Sequence, residues 1–196
     1  MNIGIIGRAR VGKDTAGKWL VDERGYRRVA FADALKAAAL KSDPVIDDGN
    51  VGYSFSAMRL SEVVGGYGWE RAKEIGDTRR ILQELGSAMR AVDPDIWIRP
   101  VLAKAIAAND AGVPVVVTDV RYPNEVDSLK RAGFRLIYIE RPGVPQLNHE
   151  SENSLTGSDA DYHIVNDGAI SSLHTTLEAI WEDIHALESA RQALRH

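Results

Sequence analysis

Five short runs rich in β-branched residues punctuate the chain: NIGII (2–6), RRVAF (27–31), PVVVT (114–118), FRLIYIE (134–140) and YHIV (162–165). Each is bounded by turn-forming residues, and the segments between them repeat apolar positions every three to four residues, the period of a helix. That alternation predicts strands joined by helical crossovers, hence a parallel sheet. The third run is apolar through Val115, Val116 and Val117, as expected of a strand covered on both faces. An α/β, doubly wound, three-layer architecture with a five-stranded parallel sheet follows.

Between the second and third runs lie more than 80 residues, far beyond what one crossover needs. They contain a soft stretch, DPVIDDGNVGYSFS, and a Gly-rich patch, VGGYG, and are expected to form a helical insertion. Within it, TRRILQELGSAMRAV (78–92) winds into a helix. At about 100° per residue, Ile81, Leu82, Leu85, Ala88, Met89 and Val92 share one apolar arc. Arg79, Gln83, Gly86 and Arg90 fall on a separate narrow stripe. Glycine in a helix costs roughly 1 kcal/mol relative to alanine, so the close approach of a planar group is one reason for Gly86. Two arginines and an amide on one face suit a phosphate plus a base edge, or form a solvated face. A final helix over about 170–192 carries ordinary amphipathic spacing through Leu173, Leu177, Ile180, Ile184 and Leu187.

The length of 196 residues with 44% hydrophobic content fits one domain with a continuous core. A net charge of −4 gives no global attraction to nucleic acid. There is no cysteine, which excludes disulfides and thiolate metal sites and fits a reducing compartment. The apolar start is too short for a signal peptide, and no run approaches the roughly 20 apolar residues of a membrane span. A soluble, cytoplasmic protein with no membrane partner is expected.

The first apolar run leads directly into GRARVGKDT (7–15). A strand, a loop with glycines at its ends, a lysine and a helix start form the setting in which backbone N–H groups converge on phosphate. Gly7 and Gly12 give backbone room, Arg10 lies in the loop, and Lys13 supplies a point charge toward the β and γ phosphates. Asp14 stands where this motif normally has the hydroxyl that meets Mg²⁺, and the hydroxyl is displaced to Thr15. Either Asp14 or Thr15 is the metal-side residue. The third run continues into TDVRYPNE, which sets Asp119 where a carboxylate can hold hydrated Mg²⁺ or accept a hydroxyl proton, or else cap a helix. Arg121 is placed to clamp phosphate. The second run ends at FADALK, bringing Asp33 and Lys36 toward the same edge; Asp33 is equally suited to cap the helix that follows.

Several blocks in order, GKDT, FADALK, GWERAKE, RRILQELGSAMR, DIWIR, TDVRYPNE, IERPG, NHESE and IVNDG, resemble the deoxynucleoside monophosphate kinases of tailed phages. These are P-loop kinases with relatives that phosphorylate 5-hydroxymethyluracil in phage DNA. In that family an aspartate after the loop lysine looks usual. The resemblance implies a core of residues 1–36 and 93–196, an acceptor-binding insertion over about 37–92 and a short lid over about 142–158, hinged near Gly143 and Gly157. It implies ATP with Mg²⁺ as donor, and a deoxynucleoside monophosphate as acceptor. ATP would be held by Gly7, Arg10, Gly12, Lys13, Asp14 and Thr15, with Asn166 and Gly168 in the NDG turn bordering adenine. Metal donors would be Asp14, Thr15 and Asp119. Lys13, Asp33, Asp119, Arg121 and Arg141 would serve catalysis, and Asp33, Lys36, Arg79, Gln83, Arg90, His149 and Glu152 would seat the acceptor, the last two from the H-x-S-E segment. Rivals are a 5-hydroxymethyluracil DNA kinase, the one reading that calls for DNA, a dephospho-coenzyme A kinase, and a non-catalytic nucleotide sensor. A homodimer through the last helix is compatible with the pattern. A phage-encoded chain would act in the host cytoplasm.

Overall fold

The computed structural model describes residues 1–47, 58–144 and 154–194. The chain divides into two compact units, Met1–Phe31 with Ile98–His196, and Ala32–Trp97.

The first unit is built on β1 (Asn2–Ile6), followed by α1 (Lys13–Arg24) and β2 (Arg27–Val29). Helix α2 (Phe31–Ser42) begins at the end of this unit and continues into the second. In the second unit come β3 (Val45–Ile46), β4 (Met58–Arg59), α3 (Leu60–Ala72) and α4 (Gly76–Val92). The first unit resumes with α5 (Ile98–Asp110), β5 (Val115–Val120), α6 (Pro123–Arg131), β6 (Phe134–Glu140), β7 (Tyr162–Val165) and α7 (Ile170–Ala193). Its five strands lie in the order β2-β5-β1-β6-β7 and every pairing is parallel. This is the three-layer α/β arrangement that the periodicity predicts.

The central strand β1 is buried at all five positions, and its side chains divide between the two faces as a pleated strand requires. Ile3 and Ile5 join Trp19 and Leu20 of α1 and Leu173, Leu177 and Ile184 of α7 in one cluster. Gly4 faces the other way, against Leu136 and Leu129. Each fully buried isoleucine contributes roughly 1.5–3 kcal/mol of transfer free energy. The end of α1 is fastened to α7 by Arg24, whose guanidinium lies 4.9 Å from the Trp19 ring centre and 4.6 Å from that of Trp181, while pairing with Glu178. Helices α5 and α6 pack together on the opposite face.

Two strand boundaries differ from the sequence expectation. The second run stops at Val29 instead of Phe31, because Phe31 already opens α2 and its N–H is taken by a side chain of β5. The third extends to Val120, so Asp119 lies at the strand's carboxyl end, as expected.

In the second unit, Ala39, Ile46, Leu60, Val63 and Ala72 form a core of their own, supported by Trp69, Ile75, Ile81, Leu82 and Leu85. The insertion is not wholly helical: β3 and β4 form a two-residue antiparallel pair. The Gly-rich patch lies inside α3, which breaks at Gly68 with φ 74° and ψ 167°. On α4 the apolar arc is incomplete as a packing face, since Val92 is 83% exposed. Gly86, in contrast, is buried. A Cβ there would sit 3.2 Å from a Leu35 methyl, and its carbonyl accepts the Trp97 indole N–H at 3.3 Å. The planar group that approaches Gly86 is therefore a side chain of this unit.

Candidate active site

The loop between β1 and α1 is shaped by backbone that ordinary residues avoid. Gly7 has φ 149°, and a Cβ on it would lie 2.3 Å from the Ile139 carbonyl oxygen, so β6 can approach only a glycine here. Arg10 is left-handed at φ 66° and Gly12 follows at φ 109°. Non-glycine residues held in that region cost of order 1 kcal/mol or more and persist where the surroundings enforce them. Gly12 is the N-cap of α1, and no side chain supplies the cap hydrogen bond. The positive end of the α1 dipole therefore faces this loop with no side-chain cap on it, the setting that favours an anion.

Lys13, only 8% exposed, donates from Nζ to the Arg8 carbonyl across the loop. Its burial strengthens the attraction of its charge for phosphate. A cavity of about 490 Å³ opens on this loop, lined by Arg10, Gly12, Lys13, Asp14, Thr15 and Arg141, and on its far side by Asn166, Gly168, Ala169, Ile170 and Leu173. Of the ATP-side residues expected from the sequence, all but Gly7 line it, and Gly7 forms the loop's base. Arg141, expected as a catalytic cation, lines it too. Half the lining is charged or backbone-rich and the α7 side is apolar, a division that suits a triphosphate at one end and a flat ring at the other.

Asn166 is buried at 7% exposure and does more than border the cavity. Its Nδ2 donates to the Val11 carbonyl at 2.8 Å, and its backbone N–H donates to the Glu140 carbonyl at 2.8 Å.

Asp119 and Arg121 do not line the cavity. Asp119 Oδ1 accepts the Phe31 N–H at 2.9 Å, so its carboxylate caps the first turn of α2. Asp33, expected as an alternative cap, is in that first turn and not ahead of it. Arg121 precedes α6. Its N–H and that of Tyr122 donate to one oxygen of Glu125, at 2.8 and 3.1 Å. Glu125 is 1% exposed and fixes the backbone that carries Arg121. Sequence reasoning passes over it, although a glutamate three residues after a helix's N-cap is a recognisable signal.

Of the residues expected to seat the acceptor, Asp33, Lys36, Arg79, Gln83 and Arg90 fall in the second unit. Lys36 Nζ lies 5.4 Å from the centre of the Trp69 ring. Arg79 and Gln83 are exposed on α4 and Arg90 is half-buried. Their neighbour Arg80 is tied to Asp77 at 2.6 Å and Glu84 at 2.8 Å on the same helix. The Asp47 N–H, and then Arg80, hold the Asp77 carboxyl below its usual range. His149 and Glu152 lie outside the described residues, as does most of the expected lid; Gly143 and Gly157 are described, on either side of it.

Among the described residues no group of three or more His, Cys, Asp or Glu side chains is arranged to hold a metal. A carboxylate and a hydroxyl in the first turn of α1 suit a hydrated Mg²⁺ that takes most of its ligands from phosphates and water.

A parallel sheet with a glycine-bounded loop and buried lysine between its central strand and first helix defines the class: a phosphate-loop kinase fold. Dephospho-CoA kinase from Campylobacter jejuni has the same fold, with a TM-score of 0.51 at 10% identity over 93% of this chain and 96% of that one. The chain belongs to the deoxynucleotide monophosphate kinase family, whose model matches residues 70–177, more than half its length. It is 28% identical to the putative deoxynucleotide monophosphate kinase of Acanthamoeba polyphaga mimivirus over 89% of this chain and 93% of that protein. It is also 28% identical to the uncharacterized protein ORF77 of Ictalurid herpesvirus 1, over 87% of this chain. There it spans just 65% of the relative's length. Among the described residues no helix is long and apolar enough to cross a membrane.

Proposed function

We propose that this protein is an ATP-dependent deoxynucleoside monophosphate kinase, which moves the γ-phosphoryl of ATP to the 5′-phosphate of a deoxynucleoside monophosphate and yields the diphosphate and ADP. The observation that carries the reading is the buried Lys13 lining a cavity of about 490 Å³ at the start of α1, where no side chain caps the helix, in a chain of this family.

Phosphoryl transfer asks for alignment and charge neutralisation more than covalent chemistry. The loop N–H groups and Lys13 hold the β and γ phosphates. Arg10 and Arg141 flank them, with Arg141 and Arg121 meeting the charge on the migrating group. Gly168 and the apolar lining at Ile170 and Leu173 receive the adenine. When bound, Mg²⁺ neutralises phosphate charge, with Asp14, Thr15 and Asp119 as the protein-side donors. Asp33, Lys36, Arg79, Gln83, Arg90, His149 and Glu152 seat the acceptor. Its phosphate is already ionised near neutral pH, so no strong base is required. The viral relatives favour action in the cytoplasm of an infected host.

The test is ADP release with ATP and Mg²⁺ against a panel of deoxynucleoside monophosphates, alongside dephospho-coenzyme A and 5-hydroxymethyluracil-containing DNA. Turnover with a monophosphate, reduced at least about 100-fold in kcat/KM by Lys13→Ala, is expected and names the base. Turnover with only DNA or dephospho-coenzyme A overturns the acceptor; ATP binding with no acceptor-dependent turnover overturns the kinase.

A further inference from the structure

The family resemblance sets the NDG turn after β7 against the adenine. The geometry points to a different role for its first residue: we infer that Asn166 is a positioning residue that latches the phosphate loop into its anion-binding shape. This rests on the reading of the cavity as the site of the ATP phosphates.

Three observations converge on it. The Asn166 amide donates to the carbonyl of Val11 at 2.8 Å, and Val11 lies between the two left-handed residues of the loop, Arg10 and Gly12. That carbonyl is the hinge point of a backbone conformation with little intrinsic preference for itself. Second, the amide occupies the space that a side chain on Gly12 would need, since a Cβ there would come within 2.6 Å of Nδ2 and 3.7 Å of Cγ. Glycine at position 12 and asparagine at position 166 are complementary shapes. Third, the latch is itself anchored. The Asn166 N–H is bonded to the Glu140 carbonyl at 2.8 Å, and the side chain is almost wholly buried. A buried amide fixed at its own backbone transmits the rigidity of the β6–β7 pair to the loop. The loop then meets phosphate with its N–H groups already turned inward, and binding does not have to order them.

A latch and an adenine contact make opposite predictions about the ligand's two halves. Inorganic tripolyphosphate carries the phosphates without the base, so it reports on the loop alone. Two neutral variants remove the donor: Asn166→Leu keeps the branched outline at larger volume, and Asn166→Ser leaves a hydroxyl too short to reach Val11. Affinities for tripolyphosphate, ATP, GTP and the acceptor nucleotide are measured by calorimetry with Mg²⁺, beside far-UV circular dichroism and the melting midpoint of each variant. Because a buried carbonyl is left unpaired, tripolyphosphate and ATP are expected to weaken by the same factor, about 10-fold or more. The ATP-to-GTP ratio and the acceptor affinity stay as in the wild type. A merely structural residue would not separate the phosphates from the acceptor.

ATP weakened while tripolyphosphate binds normally, or a fallen ATP-to-GTP ratio, overturns the latch in favour of base contact. Wild-type affinity for both in a folded variant also overturns it. Tripolyphosphate binding that depends on Asn166 in a protein that phosphorylates no monophosphate leaves the latch standing and removes the proposed reaction alone.

Discussion

Replacing Gly7 with alanine would put a methyl carbon 2.3 Å from the Ile139 carbonyl oxygen. The obstacle is backbone in β6, which is bonded along its length to β1, so no rotamer change relieves it. Overpacking of this kind costs about 1–3 kcal/mol. The φ of 149° adds strain of about 1–3 kcal/mol for a residue with a Cβ. The expected total is about 2–6 kcal/mol, a large part of the roughly 5–15 kcal/mol that holds a domain folded. Gly25→Ala is the matched control. Gly25 has φ 70°, and nothing lies within 4 Å of where the added methyl would stand, leaving a left-handed penalty of about 1–2 kcal/mol. Both variants share an offset of about 0.4–1 kcal/mol from a less flexible unfolded chain, which cancels in the comparison. Urea unfolding of both variants, compared at equal m-value, separates the two effects. ATP affinity should fall with Gly7→Ala and not with Gly25→Ala. If the two variants unfold within about 1 kcal/mol of each other, the close approach of β6 is not what requires glycine at position 7.

Asp119→Asn should keep the acceptor oxygen for the Phe31 N–H, and therefore stability, while reducing turnover at least about 100-fold. Asp119→Ala should lose turnover and also about 0.5–2 kcal/mol of stability with the cap, so the two melting curves tell charge from capping. Burial pushes the Tyr26 phenol up to about 12. Because the folded value lies above the unfolded one, this stabilisation is complete below pH 10 and is lost as pH rises from 10 to about 12. The loss is roughly 2–3 kcal/mol for two pH units. Tyr162, raised to about 12 by desolvation and then by its bond to Asp183, falls in the same window. Tyr26→Phe should flatten only its own share of the alkaline slope in a pH series of urea midpoints.

The sheet was legible mainly because β5 and β6 declare themselves through several consecutive apolar residues, and the loop because strand, glycines, lysine and helix occur together within about a dozen positions. What escaped depends on partners distant in sequence. Phe31 reads as the end of a strand until Asp119, 88 residues away, draws its N–H into a helix cap. Strands β3 and β4 have two residues each, too few to show any period. Gly86 reads as room for a ligand until Leu35 and Trp97 fill it. Asn166 sits in a turn-forming triplet whose composition says nothing of the carbonyl 155 residues earlier that its amide seeks. Acceptor-side candidates could be assigned to a helix face by period alone; which of them a nucleotide touches is a matter of tertiary arrangement that period does not encode.

The route of the chain carries an evolutionary consequence. It leaves the first unit after Phe31 and returns at Ile98, and both points lie beside the edge strand β2, the first directly after it and the second on α5, which packs against it. The excursion between them contains neither the loop at Gly7–Thr15 nor Asn166. A lineage built on this plan can lengthen, trim or exchange residues 32–97 without redrawing that loop or its asparagine. On the proposed reading of residues 32–97 as the acceptor's seat, preference for the acceptor base and hold on the donor would be inherited as separate parts.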